Sequence, residues 1–107
     1  MANTKYYGCS TGTTTNGGGS VRMTISGGAA QGNNGTSLPC KMCYIIASAG
    51  TVRVQIGTPC TSTTGIPVPW LDATNNQWDC LQIPIDDVAK LYFFGTGSET
   101  IDVLYLT

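Results

Sequence analysis

The order of apolar and polar residues along the chain predicts short strands and no long helix. Val21, Met23 and Ile25 alternate with polar residues, so their side chains share one face of a half-buried strand. The run Cys40–Ala47 is apolar on both faces and predicts a well-buried strand. No window of ten or more residues has a convincing helical period. The pattern therefore predicts an all-β chain.

A second strand follows the buried run after a short turn. The segment Thr51–Ile56 alternates cleanly, so Val52, Val54 and Ile56 are predicted to point inward. Because so few residues separate it from Cys40–Ala47, we predict that the two segments form a hairpin.

The remaining sequence adds further strand signals. Ile66–Trp70 contains two prolines, which restrict it to the edge of a sheet. Trp78–Ile85, Leu91–Phe94 and Ile101–Leu106 carry the later signals. Six to eight short strands at this spacing predict a small β-sandwich or jelly roll.

The amino-acid composition changes near residue 38 and divides the chain into two parts. Residues 1–37 are dominated by Gly, Thr, Asn and Ser and contain one predicted strand, so we interpret them as an N-terminal arm. Residues 38–107 hold the predicted core of the sandwich, within a single domain overall. On such an arm, Tyr6 and Tyr7 are candidate interface anchors.

Composition and charge exclude several classes of function. Only 10% of the 107 residues are charged, and five basic against six acidic residues give a net charge of -1. This balance cannot supply the basic patch that nucleic-acid binding requires. The chain has no histidine, the commonest general base and metal ligand, and no Ser-His-Asp triad can form. We therefore expect no enzyme and no cofactor.

Targeting signals are also missing from the pattern. No run of eighteen apolar residues is present, so we expect no membrane partner. The first ten residues lack the apolar stretch of a secretory signal, and we expect synthesis in the cytoplasm.

The five cysteines are the first candidates for chemistry. Cys40 and Cys43 form a CxxC, but the second ligand pair of a structural zinc site is absent. In a strand, residues three apart face opposite sides of the sheet and could not share a metal ion. We expect free thiols that pack as small apolar groups, with a zinc site and a disulfide as the alternatives. An odd count leaves at least one cysteine unpaired within the chain.

Two further features have a structural and a functional interpretation. Trp70 and Trp78 flank an Asn-rich loop, where they could stack on a sugar, although packing or a protein interface is the favoured interpretation. Asp86 and Asp87 are the one adjacent carboxylate pair, which could form a calcium site or an acid/base pair. The favoured interpretation is that Asp86 caps a single helical turn that ends at Lys90.

The C-terminal half resembles a group of small bacteriophage virion proteins. The resemblance lies in an apolar strand, an Asp-Asp turn, an aromatic strand, a Gly-rich loop and a final strand. This chain has that pattern at Leu81–Gly95 and Ile101–Leu106. It implies a non-enzymatic structural protein, of the head decoration (cement) type, on the capsid surface of a virion made in a bacterial host. It also implies a homotrimer that binds the major capsid protein and stabilises the head shell. The alternative is a receptor- or carbohydrate-binding module of a phage tail or fibre, in which Trp70 and Trp78 would be exposed.

Overall fold

The computed structural model describes residues 5–6, 9–10, 17–71 and 79–107, the first two pairs through their backbone alone. Its strands are β1 (Lys5–Tyr6), β2 (Cys9–Ser10), β3 (Gly18–Thr24), β4 (Ala29–Gln31), β5 (Met42–Ala47), β6 (Arg53–Ile56), β7 (Ile66–Pro67), β8 (Leu81–Ile83), β9 (Leu91–Phe94) and β10 (Thr100–Leu106). Two short 3₁₀ turns, Gly32–Gly35 and Val88–Lys90, complete the regular structure of the described residues.

The strands form two antiparallel four-stranded sheets, which confirms the predicted all-β sandwich. The first sheet has the order β3-β10-β5-β8 and the second the order β4-β9-β6-β7. Among the described residues, the short strands β1 and β2 pair with each other in a separate two-stranded sheet. Within the described part of the chain, no helix is long and apolar enough to cross a membrane.

The core lies between the two sheets, where inward side chains from both sheets meet. Ile45 and Val103 from the first sheet are fully buried, as are Leu91 and Phe93 from the second. Met23 and Ile25 are also buried, and Val21 packs at the edge of the same cluster, so the predicted inward face of this segment is confirmed. The alternation along each strand thus decides which side chains are removed from water.

The predicted hairpin between Cys40–Ala47 and Thr51–Ile56 is wrong. β5 pairs with β10 and β8 in the first sheet, whereas β6 pairs with β9 and β7 in the second. Both edges of β5 are therefore occupied by strands from the C-terminal half. The connection crosses from one sheet to the other, and Ser48 donates its backbone N–H to the carbonyl of Thr100 instead of to β6.

Residues 17–37 contribute more to the sandwich than an arm with one strand. β3 pairs with β10 along its whole length, and β4 pairs with β9. β4 consists of two alanines and a glutamine, which do not favour a strand, so no strand was predicted there. β4 forms because its backbone pairs with that of β9, and a pattern of neighbouring residues cannot indicate a partner so distant in sequence.

Two asparagines turn the chain after β4. Asn33 and Asn34 both adopt left-handed backbone angles, with φ of 49° and 54°, which asparagine tolerates better than most residues. The preceding Gly32 lies against the carbonyl of Val88, and an added Cβ atom would come within 1.9 Å of that oxygen. This close approach joins the N-terminal third of the chain to the turn before β9.

The turn before β9 is capped by Asp87, not by Asp86 as predicted. The carboxylate of Asp87 accepts hydrogen bonds from the backbone N–H groups of Ala89 and Leu38, each at 2.8 Å, and from the hydroxyl of Ser37 at 2.5 Å. These bonds lower the pKa of Asp87, the bond from Leu38 most strongly. Asp86 instead forms an exposed ion pair with Lys90 at 2.7 Å.

Candidate interaction surface

An apolar groove of about 380 Å³ lies on one side of the sandwich, between the edge strands of the two sheets. Ile56 and Ile66 come from the second sheet, and Leu81, Ile83 and Pro84 come from the first sheet and the segment after it. The described residues that line the groove include two glutamines but no charged side chain. We name this feature the edge groove.

Two isoleucines of the edge groove are unusually exposed. Ile56 and Ile66 each leave 53% of their surface accessible to solvent. Ile56 was predicted to point into the core, and that prediction is wrong because β6 ends there, at the margin of the sandwich. Gly57 follows with a φ of +87° and turns the chain away, so Ile56 lines the edge groove instead.

Prolines protect both edges beside the groove from further strand pairing. β7 ends at Pro67, and Pro84 follows β8 directly. Proline has no N–H to donate, so neither edge can extend into a long ladder with another chain. The predicted edge position of Ile66–Trp70 is confirmed for β7. A partner at the edge groove would therefore bind through side-chain packing.

The structure locates two of the four residues selected as interface candidates. Trp70 is partly buried against the core, pairs with Ala47 in an isolated bridge and lies over Gly50, where an added Cβ atom would be 3.1 Å from the indole. The backbone of Tyr6 lies in β1. Tyr7 and Trp78 lie outside the described residues. Trp70 thus has a packing role within the fold.

Buried Glu99 organises the loop between β9 and β10. Its carboxylate accepts hydrogen bonds from the hydroxyl of Thr51 and from the backbone N–H groups of Thr96 at 3.0 Å and Gly97 at 2.7 Å. These donors lower its pKa to about 2, with the bond from Thr51 as the largest cause. These hydrogen bonds hold the loop against the turn that contains Thr51, so we interpret Glu99 as an anchor of the fold.

The cysteines differ from the expectation in one respect and agree in another. Cys40, Cys43 and Cys60 are free and buried, as expected. Cys80 is disulfide-bonded, so for this residue the alternative of a disulfide holds. Among the described residues, no group of three or more His, Cys, Asp or Glu side chains could hold a metal ion.

The prediction that Cys40 and Cys43 face opposite sides of one strand is wrong. The Sγ atoms of Cys40 and Cys43 are 3.6 Å apart. β5 begins only at Met42, and Cys40 lies before the bend at Lys41, so the alternation of a strand does not apply between the two cysteines. Neither the sequence pattern nor the spacing alone indicated this contact.

Comparison with known proteins adds no relative: no protein-family model, no curated protein and no solved structure matches this chain.

Proposed function

We propose that this protein is a non-enzymatic structural component of a bacteriophage virion, of the head decoration (cement) type. In this proposal it forms a homotrimer on the capsid surface and binds the major capsid protein, so that each bound trimer stabilises the shell. The edge groove is the observation that carries the proposal, because it gives a small sandwich an uncharged surface suited to burial against protein.

The energetic argument starts from Ile56 and Ile66. Each is about half exposed, and its removal from water would contribute about 1 kcal/mol. A closed ring of three subunits repeats the contact three times, whereas a monomer leaves all of it in water. The low charge of the chain, 10% of residues, reduces the desolvation cost of bringing such surfaces together.

The prolines beside the edge groove favour a closed ring of subunits, because they oppose the strand pairing that would join subunits into an open fibre. Pro67 and Pro84 interrupt the two edges, so subunits would contact each other through side chains and not through a continuous sheet. A contact between two different surfaces closes into a ring when its rotation allows, and this is how a trimer forms. We assign the edge groove to the contact between subunits.

The first experiment tests the assignment of the edge groove. Native mass spectrometry should show a trimer for the unchanged protein and a monomer for Ile66→Glu or Ile56→Glu. These side chains are exposed, so the variants should keep their fold, which circular dichroism checks. Leu104→Glu is the matched control: Leu104 is 40% exposed but lies on the outer face of the first sheet. A trimer that survives Ile66→Glu and dissociates with Leu104→Glu would contradict the assignment.

The second experiment tests the role in the head. Purified protein is mixed with heads from the encoding virus that lack it, and bound copies are counted after sedimentation. A cement protein should bind in hundreds of copies per head and raise the temperature at which heads release DNA. Substitution of Tyr6 and Tyr7 by alanine should weaken head binding without changing the oligomer, since we place these residues at the capsid contact.

Copy number also separates the proposal from the alternative of a tail or fibre module. Such a module would be present in a few dozen copies or fewer and would bind a host surface sugar. The packing of Trp70 over Gly50 favours the cement proposal. It covers part of an indole ring that the alternative needs exposed for stacking on a sugar. Failure to bind heads, together with binding to host polysaccharide, would favour the alternative.

A further inference from the structure

Two buried thiols lie in contact beneath the start of β5. The Sγ atoms of Cys40 and Cys43 are 3.6 Å apart, and the two residues are 9% and 0% exposed. A third free cysteine of the described residues, Cys60, is also buried, but its thiol faces the backbone carbonyls of Arg53 and Tyr92 at 3.5 and 3.6 Å. Among the free cysteines of the described residues, therefore, this pair alone brings two thiols into van der Waals contact.

The fold holds both cysteines in place through their backbones. Cys40 donates its N–H to the carbonyl of Asp86 at 3.0 Å, just before the bend that starts β5. Cys43 lies within β5, with Tyr105 and Ile83 as its partners on the two neighbouring strands. The backbones that carry the two thiols are thus held by three strands and a loop.

We propose that Cys40 and Cys43 form a redox-modification site, which closes to an intramolecular disulfide by exchange with a small disulfide such as oxidised glutathione. In the first step Cys40, the more exposed of the two, loses its proton when the fold opens locally, and its thiolate attacks the glutathione disulfide. A mixed disulfide forms, and the glutathione that leaves takes up the proton. In the second step the other cysteine displaces the second glutathione. The protein loses two electrons and two protons, and the glutathione disulfide gains them as two thiols.

The surroundings favour a neutral disulfide over a thiolate bound to a metal ion. Burial raises the pKa of both thiols, that of Cys43 to about 12, and the charges of Asp86 and Asp87 act in the same direction on Cys40. A metal ion would need two thiolates in this apolar and negatively charged environment. A disulfide carries no charge and therefore avoids that cost.

The disulfide would need only a small movement and would change one contact. A bonded pair of sulfurs is about 2.0 Å apart, so the two atoms must approach each other by about 1.6 Å. The thiol of Cys40 donates a hydrogen bond to the carbonyl of Ile85 at 3.2 Å, and oxidation removes that donor. The state of the pair is thereby coupled to the segment before the turn at Val88–Lys90.

Trypsin offers a direct test, because Lys41 lies between the two cysteines. The protein is incubated in a mixture of reduced and oxidised glutathione, once as the folded chain and once during refolding from urea, and is then alkylated in acid-quenched, denatured form. Oxidation should link the tryptic peptides Met23–Lys41 and Met42–Arg53 through a disulfide. We expect this linked pair to be at least tenfold more abundant than glutathione adducts of either peptide. In the folded chain the reaction should be slower, since the thiols are buried.

Two variants make the result specific. Cys60→Ser should leave the yield of the linked peptides unchanged, whereas Cys40→Ser should abolish it and leave Cys43 alkylated or bound to glutathione. Two results would overturn the proposal: recovery of Cys40 and Cys43 as alkylated thiols in both the folded and the refolding samples, or a dominant link between Cys43 and Cys60. Because refolding exposes every thiol, lack of access cannot explain a negative result there.

Discussion

The hydroxyl of Thr51 donates a hydrogen bond to the carboxylate of Glu99, and this contact joins the crossover between the two sheets to the loop before β10. The two residues are 48 positions apart in sequence. Glu99 is 9% exposed, and its carboxylate also accepts from two backbone N–H groups of its own loop and from the hydroxyl of Thr96 at 3.2 Å. One carboxylate therefore stabilises both the crossover and the loop.

The substitution Glu99→Gln should destabilise the protein by about 2 kcal/mol at pH 7, because hydrogen bonds to a charged acceptor are stronger than those to a neutral one. The folded protein lowers the pKa of Glu99 from 4.5 to about 2. Its contribution is therefore complete above pH 4.5 and is lost as the pH falls towards 2. Urea unfolding at several pH values should show the unchanged protein and Glu99→Gln converging over this range.

Asp102→Asn is the matched control for that experiment, since it also replaces a carboxylate with an amide. Asp102 pairs with Arg22 at 2.7 Å on the exposed face of the first sheet. Exposed ion pairs contribute little, so this variant should cost much less than Glu99→Gln. Equal losses for the two variants would contradict the anchoring role of Glu99.

The two adjacent aspartates before β9 should differ sharply when each is replaced by alanine. Asp87→Ala removes the acceptor for three donors, whereas Asp86→Ala removes only an exposed ion pair with Lys90. We expect Asp87→Ala to lower the melting temperature by several degrees and Asp86→Ala to change it little. Thermal unfolding followed by circular dichroism measures both melting temperatures. A larger loss for Asp86→Ala than for Asp87→Ala would instead identify Asp86 as the cap.

The neighbouring aromatic residues of β9 provide a test of the sandwich itself. Phe93 is 1% exposed between the sheets, whereas Phe94 lies partly exposed on the opposite face, against Gly28. Phe93→Ala should cost about 3–5 kcal/mol because it leaves a cavity in the core. Phe94→Ala should cost about 1 kcal/mol, as less surface is returned to water. Denaturant unfolding of the two variants compares the same side chain on the two faces of one strand.

The chain's alternation of apolar and polar residues was enough to predict most strands and their inward faces. Val21, Met23 and Ile25 lie on the core side as expected, and the prolines correctly indicated an edge strand at Ile66–Pro67. These features depend on local chemistry: which side chains avoid water, and where a backbone N–H is missing. A sequence reports such properties directly.

The tertiary structure decided what depends on contacts between distant segments. The pairing of β5 with β10 and β8 replaced the expected hairpin, and the end of β6 at the sandwich margin left Ile56 exposed. The edge groove and the contact between Cys40 and Cys43 arise in the same way, from segments that the fold brings together. Such contacts form because the two sheets pack around a common core. The spacing of residues along the chain does not indicate which distant segments will meet.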